Sequence, residues 1–258
     1  MPTLDIVKIG GSIANDVQKL SEFLNEFTAL PYPKLLMHGG GSAASELCQK
    51  LDIPIQMIDG RRITDKPALD VAVMVYAGLI NKNIVAKLQA SGCNALGLSG
   101  ADLNIIPAQK RNHPTIDYGY VGDISADAVD AYFLSRLLEE QAVPVFSAVT
   151  HDQKGQLLNT NADTIASVLA TAMSSRYPCR LTYCFEKNGV LEDKEDDHSW
   201  IQEIDRQKYA DLKEQKIISD GMIPKLDTAF EALGKGVEAV HIKHASKLTS
   251  NTGTKLSL

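Results

Sequence analysis

Short apolar runs alternate along the chain with segments in which apolar residues recur every three or four positions. The first pattern is typical of buried β-strands and the second of amphipathic α-helices. Strands separated by helices predict an α/β fold with a mostly parallel central sheet and helices on both faces. The predicted strands are LDIVKIG, LLMH, NALGLSG, VPVFSAV, RLTYCF and EAVHIKH, the last of which is expected to close the sheet. The predicted helices are marked by Val17, Leu20, Leu24 and Phe27, then by residues 67–90, 128–139, 161–173, 206–215 and 222–233.

Two further features organise the chain. Residues 104–124 are irregular and rich in polar and turn residues, which predicts a hairpin or flap. The pattern changes character near Tyr177 and Pro178, so we expect one domain made of two lobes, residues 1–177 and 178–258.

The 258-residue chain has an ordinary globular composition, with 44% hydrophobic residues and a formal net charge of -6. Because it contains no long basic run, a small-molecule partner is expected and nucleic acid is not. The first residues lack the basic region of a secretory signal, and no apolar run reaches membrane-spanning length. We therefore expect no membrane partner.

The cysteines and histidines point to no metal or disulfide chemistry. The four cysteines form no C-x-x-C pair, which predicts reduced thiols in a cytoplasmic protein. His241 and His244 lie three positions apart in a predicted strand, and therefore on opposite faces. We expect no metal site there.

Three consecutive glycines, Gly39, Gly40 and Gly41, separate the LLM strand from a predicted helix that Ser42 can cap. Glycines allow close backbone approach, and a helix N-terminus offers unpaired N–H donors. The stretch therefore predicts an anion site, although a plain strand-to-helix turn is the simpler alternative. One candidate anion is a dinucleotide, since Gly39, Gly41 and Ala44 match G-x-G-x-x-A and Asp59 follows at a suitable distance.

A second glycine-rich strand exit contains Lys8, followed by Gly10 and Gly11. It lacks the spacing of a Walker A loop. A buried lysine is costly unless an anion meets it, so Lys8 is a candidate for phosphate or carboxylate binding. The alternative is a surface lysine on an edge strand.

Two other segments carry polar residues at helix starts. Asn159, Asn161 and Asp163 precede and enter one predicted helix, where helix capping alone would need a single such residue. Lys225 lies in the first turn of another helix, where a cation is unfavourable unless an anion binds. In GRRIT, Arg62 offers the planar fork that binds carboxylates.

This set favours phosphoryl transfer, in which positioning and charge stabilisation supply most of the catalysis. No activated Ser, Cys or His nucleophile is recognisable. A carboxylate acceptor needs no general base, because its pKa of about 4.3 leaves it ionised at neutral pH. Hydride transfer to a dinucleotide would leave Lys8, Lys225 and the NTNAD stretch without roles.

The chain resembles the amino acid kinase family, and within it the branch that acts on N-acetyl-L-glutamate. The resemblance implies a three-layer αβα sandwich whose N-terminal lobe binds the N-acylglutamate and whose C-terminal lobe binds ATP with Mg²⁺. It further implies an acyl phosphate product in arginine biosynthesis, with N-succinyl-L-glutamate as the alternative acceptor. The motifs that carry it are KIGGS, HGGGSAASEL, GRRIT, GLSG, YGYVGDI, NTNAD, ISDGMIPKL and TGTKL.

The resemblance also implies roles for individual residues. Lys8 and Lys225 would neutralise the transferring phosphoryl group, and Asp163 would orient both lysines. The N-acylglutamate site would comprise Gly40, Gly41, Arg62, Asn159 and Asn161. The nucleotide site would comprise Gly10, Gly11, Glu186, Lys187, Asn188, Gly189, Val190, Leu191, Ile217, Ile218 and Ser219. Glu186 departs from the family, which commonly has Asp at this position.

Assembly can also be anticipated from this resemblance. Arginine-inhibited relatives carry an extra helix before the first strand, and only Met1, Pro2 and Thr3 precede it here. We therefore expect a homodimer that arginine does not inhibit. Helix 67–90 could supply the interface through Val71, Val75 and Leu79, although core burial of these residues is an equal alternative.

Overall fold

The computed structural model describes residues 1–58, 61–193, 195–218 and 221–258. Within them the strands are β1 (Leu4–Ile9), β2 (Lys34–His38), β3 (Gln56–Ile58), β4 (Arg61–Ile63), β5 (Ala95–Leu98), β6 (Gln109–Lys110), β7 (Gly122–Asp123), β8 (Val143–Phe146), β9 (Val149–His151), β10 (Leu157–Asn159), β11 (Cys179–Phe185), β12 (Glu203–Ile204), β13 (Ala239–His244) and β14 (Thr254–Leu256). The α-helices are α1 (Gly11–Ala14), α2 (Val17–Ala29), α3 (Gly41–Lys50), α4 (Lys66–Val73), α5 (Asn81–Ala90), α6 (Ala131–Glu139), α7 (Ala162–Met173), α8 (Arg206–Glu214) and α9 (Ile223–Gly234).

The predicted parallel sheet is confirmed. Among the described residues, eight strands form one sheet in the order β12-β14-β13-β11-β1-β2-β8-β5. The six strands from β13 to β5 are parallel to one another. Strand β14 runs antiparallel to β13, and β12 pairs parallel to β14. Helices α6, α7 and α9 form one outer layer and α2 and α5 the other, giving a three-layer αβα sandwich. The predicted strand EAVHIKH, which contains β13, does not close the sheet, because the two short strands β14 and β12 lie beyond it.

The sheet order places a switch point between β1 and β11. From β1 the chain proceeds to the neighbouring strand β2 on one side, and from β11 it proceeds by way of the edge strand β12 to β13 on the other. Ligands of open α/β sheets bind beyond the carboxyl ends of the strands at such a point. The strands on either side also come from residues 4–146 and 179–256, respectively. The 177/178 lobe boundary itself stays a prediction.

Helix α2 shows how local sequence fixes one element of the outer layer. The Asp16 carboxylate accepts hydrogen bonds from the backbone N–H groups of Gln18 and Lys19 and so caps its N-terminus. Leu20, Leu24 and Phe27 are buried as the periodicity predicts. Val17, which was predicted to belong to this stripe, is instead 76% exposed.

Helices α4 and α5 are joined by a π-helical segment, Met74–Ile80, into one 25-residue helix. By length and composition this helix could cross a membrane, in contrast to the expectation from sequence. Half of the most apolar 18-residue stretch of this helix is buried inside the protein, as in a helix that packs on a core. Its apolar residues are covered in two places, because α3 packs on α4 and the π-helical segment, and β5 and β8 of the sheet pack on α5.

The irregular segment 104–124 contains the predicted hairpin. Strands β6 and β7 pair antiparallel, and the Arg111 guanidinium binds both carboxylate oxygens of Asp123 across the pair. A bridge between Val121 and Asn159 ties this hairpin to β10. The flap is therefore anchored beside the NTNAD stretch.

Candidate active site

The two glycine-rich turns meet at the carboxyl ends of β1 and β2. A Cβ atom on Gly11 would lie 3.3 Å from the backbone nitrogen of Gly41, and a Cβ on Gly39 would lie 3.8 Å from that of Gly11. Gly10 immediately precedes α1, and Gly40 immediately precedes α3. Two short backbone segments therefore form the floor of one site, as an anion cradle requires.

Packing explains why Gly40 must be a glycine. It is buried, and a Cβ atom there would lie 2.6 Å from ring atom Cδ1 of Tyr76 and 2.6 Å from Cδ1 of Ile80. Both side chains come from the π-helical segment and are themselves buried. The long helix thus packs directly against the glycine turn, a contact that the sequence could not show. A Cβ on Gly41 would meet nothing within 4 Å, so that residue is open to a ligand.

A buried histidine holds the same turn. His38 Nδ1 lies 3.0 Å from the carbonyl oxygen of Gly39, and its Nε2 lies 3.1 Å from Nδ2 of Asn81. Since a carbonyl only accepts, Nδ1 carries the proton and Nε2 accepts from the Asn81 amide. In a trans peptide the N–H points opposite to the C=O. Fixing the Gly39 carbonyl therefore also fixes the direction of the Gly40 N–H.

Burial lowers the pKa of His38 to about 4, and that of His241 likewise to about 4. The unfolded chain, with an ordinary histidine pKa of about 6.5, binds more protons between these values. The free energy of unfolding should therefore fall as the pH falls from 6.5 towards 4, by roughly 2–3 kcal/mol for His38. Denaturant titrations at pH 7 and pH 4.5 measure this loss.

The matched variants are His38→Asn and His113→Gln. His38→Asn keeps a donor near the Gly39 carbonyl but does not titrate, so its unfolding free energy should depend less steeply on pH. His113 is exposed, and its replacement should leave the wild-type dependence unchanged. An unaltered slope in His38→Asn would contradict the burial argument.

Lys8 and Asp163 form the charged centre of the site. Lys8 projects from β1 and is only 6% exposed, and its Nζ lies 2.5 Å from Oδ1 of Asp163. The contact is ionic: among the described residues, Oδ1 accepts no hydrogen bond of good geometry. Asp163 lies in the first turn of α7, whose N-terminus is capped by Asn161. The buried lysine thus meets the anion that its burial requires.

Lys225 approaches the same centre from the first turn of α9. Its Nζ lies 4.5 Å from the ring centroid of Phe185, and Nζ of Lys8 lies 5.7 Å from the same centroid. Burial lowers the pKa of Lys225 from its ordinary value, with Asp163 opposing the shift and Lys8 adding to it. Asp163 forms an ion pair with Lys8, whereas the ion pairs between described residues include none for Lys225. That Asp163 orients both lysines stays a prediction.

Arg62 reaches the second glycine turn from β4. Its Nη2 donates to the Gly41 carbonyl at 3.0 Å and to Oγ of Ser45 at 2.5 Å. Its Nη1 is buried and finds no hydrogen-bond partner among the described residues. A buried guanidinium N–H without an acceptor is costly, so this group is suited to bind a carboxylate.

The two predicted asparagines have different surroundings. Asn159 ends β10, is half-buried, and donates from Nδ2 to Oγ1 of Thr64 at 3.1 Å. Asn161 is exposed, and its Oδ1 accepts from the backbone N–H of Thr164, as the capping alternative predicts. Only its amide NH₂ remains available for a ligand.

The predicted nucleotide segment after β11 is held largely by contacts within the protein. Lys187 binds the carboxylate of Asp197, and Asn188 donates to the Asp197 carbonyl. Gly189 and Val190 are buried, and Leu191 pairs with Trp200. Of this segment, the exposed side chains are those of Glu186 and Lys187.

Glu186 lies beside a cavity of about 390 Å³ at the carboxyl ends of β11 and β13. Lys19 binds its carboxylate at 2.5 Å and thereby lowers the pKa of Glu186. Ile217 and Ile218 precede α9 and do not line this cavity as far as the structure describes it. Ser219 and Asp59, which were also assigned from sequence, lie outside the described residues.

Several neighbours of the site were missed by the sequence analysis. Phe185 was read only as the last residue of a strand, and His38 as part of an apolar run. Ser45 and Thr64 lie within the motifs HGGGSAASEL and GRRIT but received no role, and Asn81 received none either, because the partners of these three residues are 17 to 95 residues away. Only the tertiary packing of helices and strands, which sequence does not give, could have revealed these contacts.

Comparison with known proteins relates the chain to one family. Residues 4–244 match the amino acid kinase family. A Bacteroides thetaiotaomicron protein named acetylglutamate kinase is 48% identical over 253 residues, covering 98% of each chain. A Parabacteroides distasonis protein of the same name is 47% identical, covering 99% of this chain and 100% of its own. The crystal structure of a Streptococcus mutans protein superposes with a TM-score of 0.81 at 25% identity, covering 98% of both chains.

Proposed function

Because the chain belongs to the amino acid kinase family, we propose that it phosphorylates the side-chain carboxylate of N-acetyl-L-glutamate with ATP, in arginine biosynthesis. The observation that carries the chemistry is the buried Lys8–Asp163 pair beside Lys225 and two touching glycine turns. The choice of acceptor comes from relatives of 47–48% identity that are named acetylglutamate kinase.

The site supplies the charges that such a transfer needs. An oxygen of the acceptor carboxylate attacks the γ-phosphorus of ATP, and the bond from this phosphorus to the β,γ-bridging oxygen breaks. ADP is the leaving group, and the acceptor becomes an acyl phosphate. Lys8 and Lys225 meet the negative charge of the transferring group, and the glycine N–H groups bind its oxygens or the acceptor. Arg62 and Asn159 hold the N-acylglutamate, with Nη1 of Arg62 as its buried donor.

Mg²⁺ fits this site as a companion of ATP. Bound together with ATP, Mg²⁺ would neutralise part of the charge on the phosphate groups. The described residues contain no group of three or more His, Cys, Asp or Glu side chains that could hold a metal ion. Asp163 is engaged by Lys8, so the protein contributes lysines to the triphosphate while the ion travels with the nucleotide.

The test combines an ATP-consumption assay with hydroxylamine trapping of the acyl phosphate. N-acetyl-L-glutamate should give hydroxamate in proportion to ADP, whereas free L-glutamate should give little of either. N-succinyl-L-glutamate is the third substrate, since its additional carboxylate distinguishes the alternative acceptor. ADP without hydroxamate would contradict carboxylate phosphorylation, and a preference for the succinyl compound would overturn the choice of acyl group. The names of the relatives favour neither that acceptor nor the dinucleotide alternative.

We further propose a cytoplasmic homodimer assembled through the π-helical segment. The four cysteines are free and buried, as in a reducing compartment. Met74 and Leu79 are 53% and 60% exposed, and they form the apolar part of this face. Val71 and Val75 are 1% and 2% exposed, so they belong to the core instead.

Light scattering coupled to gel filtration should give twice the chain mass. Leu79→Glu should shift this mass to that of a monomer, because a charge on an apolar interface is costly. Leu103→Glu is the control, since Leu103 is equally exposed, at 60%, but lies on the segment before the flap. A monomeric or hexameric wild type would contradict the proposal. Insensitivity to arginine stays a prediction that the same preparation can test.

A further inference from the structure

Phe185 lies where the two lysines of the site converge. It ends β11, directly beside β1, where Tyr183 is in register with Lys8. Adjacent parallel strands place registered residues on the same face, and side chains two positions apart share a face. The ring of Phe185 is therefore the diagonal neighbour of Lys8 on the face covered by α7 and α9.

The ring is close enough to interact with both ammonium groups. Nζ of Lys225 lies 4.5 Å from its centroid and Nζ of Lys8 lies 5.7 Å away, within the 6 Å or so over which a ring face attracts a cation. The charged groups facing Lys225 are Lys8 on β1 and Asp163 on α7. Glu186 follows the ring but is paired with Lys19. Two positive charges thus lie close to one aromatic side chain, and the carboxylate of Asp163 is paired with one of them.

We propose that Phe185 is a positioning residue of the phosphoryl transfer, whose ring face holds the Lys225 ammonium, and more weakly that of Lys8, where the phosphoryl group arrives. A carboxylate in place of the ring would bind the lysines strongly and compete with phosphate. An aromatic face offsets the repulsion between the two lysines but carries no net charge, so Lys225, which forms no ion pair among the described residues, remains free to turn to the substrate. This inference rests on the proposed kinase function.

Fluorinated phenylalanines at position 185 separate the electron density of the ring from its shape. Successive fluorine atoms weaken the attraction of the ring face for cations and change the ring size little. Across 4-fluoro, 3,5-difluoro and 3,4,5-trifluoro rings, kcat should fall stepwise, to about one tenth, with KM nearly constant. Phe185→Trp should retain kcat, and Phe185→Leu should lose it.

A second readout needs no substrate. In protein with ¹³C-labelled lysine, assigned with Lys225→Arg, the pKa of Lys225 should fall by about 0.5 between the native and trifluoro rings. The matched control is the same series at Phe27, whose ring lies 5.3 Å from Nζ of Lys34 in another layer. That series should change neither kcat nor the pKa of Lys225.

The outcomes distinguish an electrostatic role of the Phe185 ring from a role of its shape alone. A stepwise loss of kcat together with the falling pKa supports the proposal. Loss of kcat in Phe185→Leu with none in the fluorinated series would show that only the shape of the ring matters, and would overturn it. An unchanged pKa of Lys225 would also overturn it. A falling pKa in a protein that phosphorylates no N-acylglutamate would support the lysine–ring contact and overturn the kinase proposal.

Discussion

Replacing Lys225 with alanine should lower kcat by about 10²–10³-fold and change the KM values little, because this ammonium meets charge that grows in the transition state. Lys8→Ala should have an effect of the same size for the same reason. Steady-state kinetics with ATP and N-acetyl-L-glutamate, each varied at saturation of the other, measure both parameters. Lys154→Ala is the control, since Lys154 is exposed in the turn between β9 and β10.

The two variants differ in what they do to stability. Lys8→Ala leaves the carboxylate of Asp163, 15% exposed, without its cation, so we expect a lower melting temperature. Lys225→Ala breaks no ion pair between described residues and should melt near the wild type. A folded Lys225→Ala protein with normal kcat would remove Lys225 from the mechanism, whatever happens to Lys8→Ala.

Arg62→Ala should raise KM for the N-acylglutamate and leave KM for ATP nearly unchanged. Truncating one partner of a buried, charged hydrogen bond costs about 2–5 kcal/mol, which is roughly 30-fold or more in affinity. Arg62→Lys should not rescue binding, because a single ammonium cannot hold the Gly41 carbonyl and Ser45 while also forking to a carboxylate. Initial rates with each substrate varied in turn provide the measurement.

Ser45→Ala separates the two tasks of this arginine. It removes one acceptor of Nη2 while leaving Nη1 in place, so KM should rise far less than in Arg62→Ala. An Arg62→Ala protein whose KM rises for ATP alone would place this residue in the nucleotide site instead. Equal effects in both variants would mean that Arg62 acts by holding α3 and not by contacting the substrate.

The local elements of this fold could be predicted because their causes are local. The buried strands β1 and β2 follow from apolar runs, and helix α7 begins directly after Asn161 because that side chain caps it. Lys8 stood out because a charge within an apolar strand needs a partner. The short strands β12 and β14 were not predicted, since two or three residues carry no periodicity.

The sequence by itself determined which residue types meet phosphate and carboxylate: glycine turns at helix starts, lysines in unfavourable places, and an arginine. Their chemistry depends on side-chain type and on position within one element. Only the tertiary structure decided which of these residues contact one another. The pairing of β1 with β11 brings Phe185 to Lys8, and packing of the π-helical segment fixes Gly40 against Tyr76. These contacts join residues far apart in the chain, and such contacts arise only when the sheet order and the layers are set.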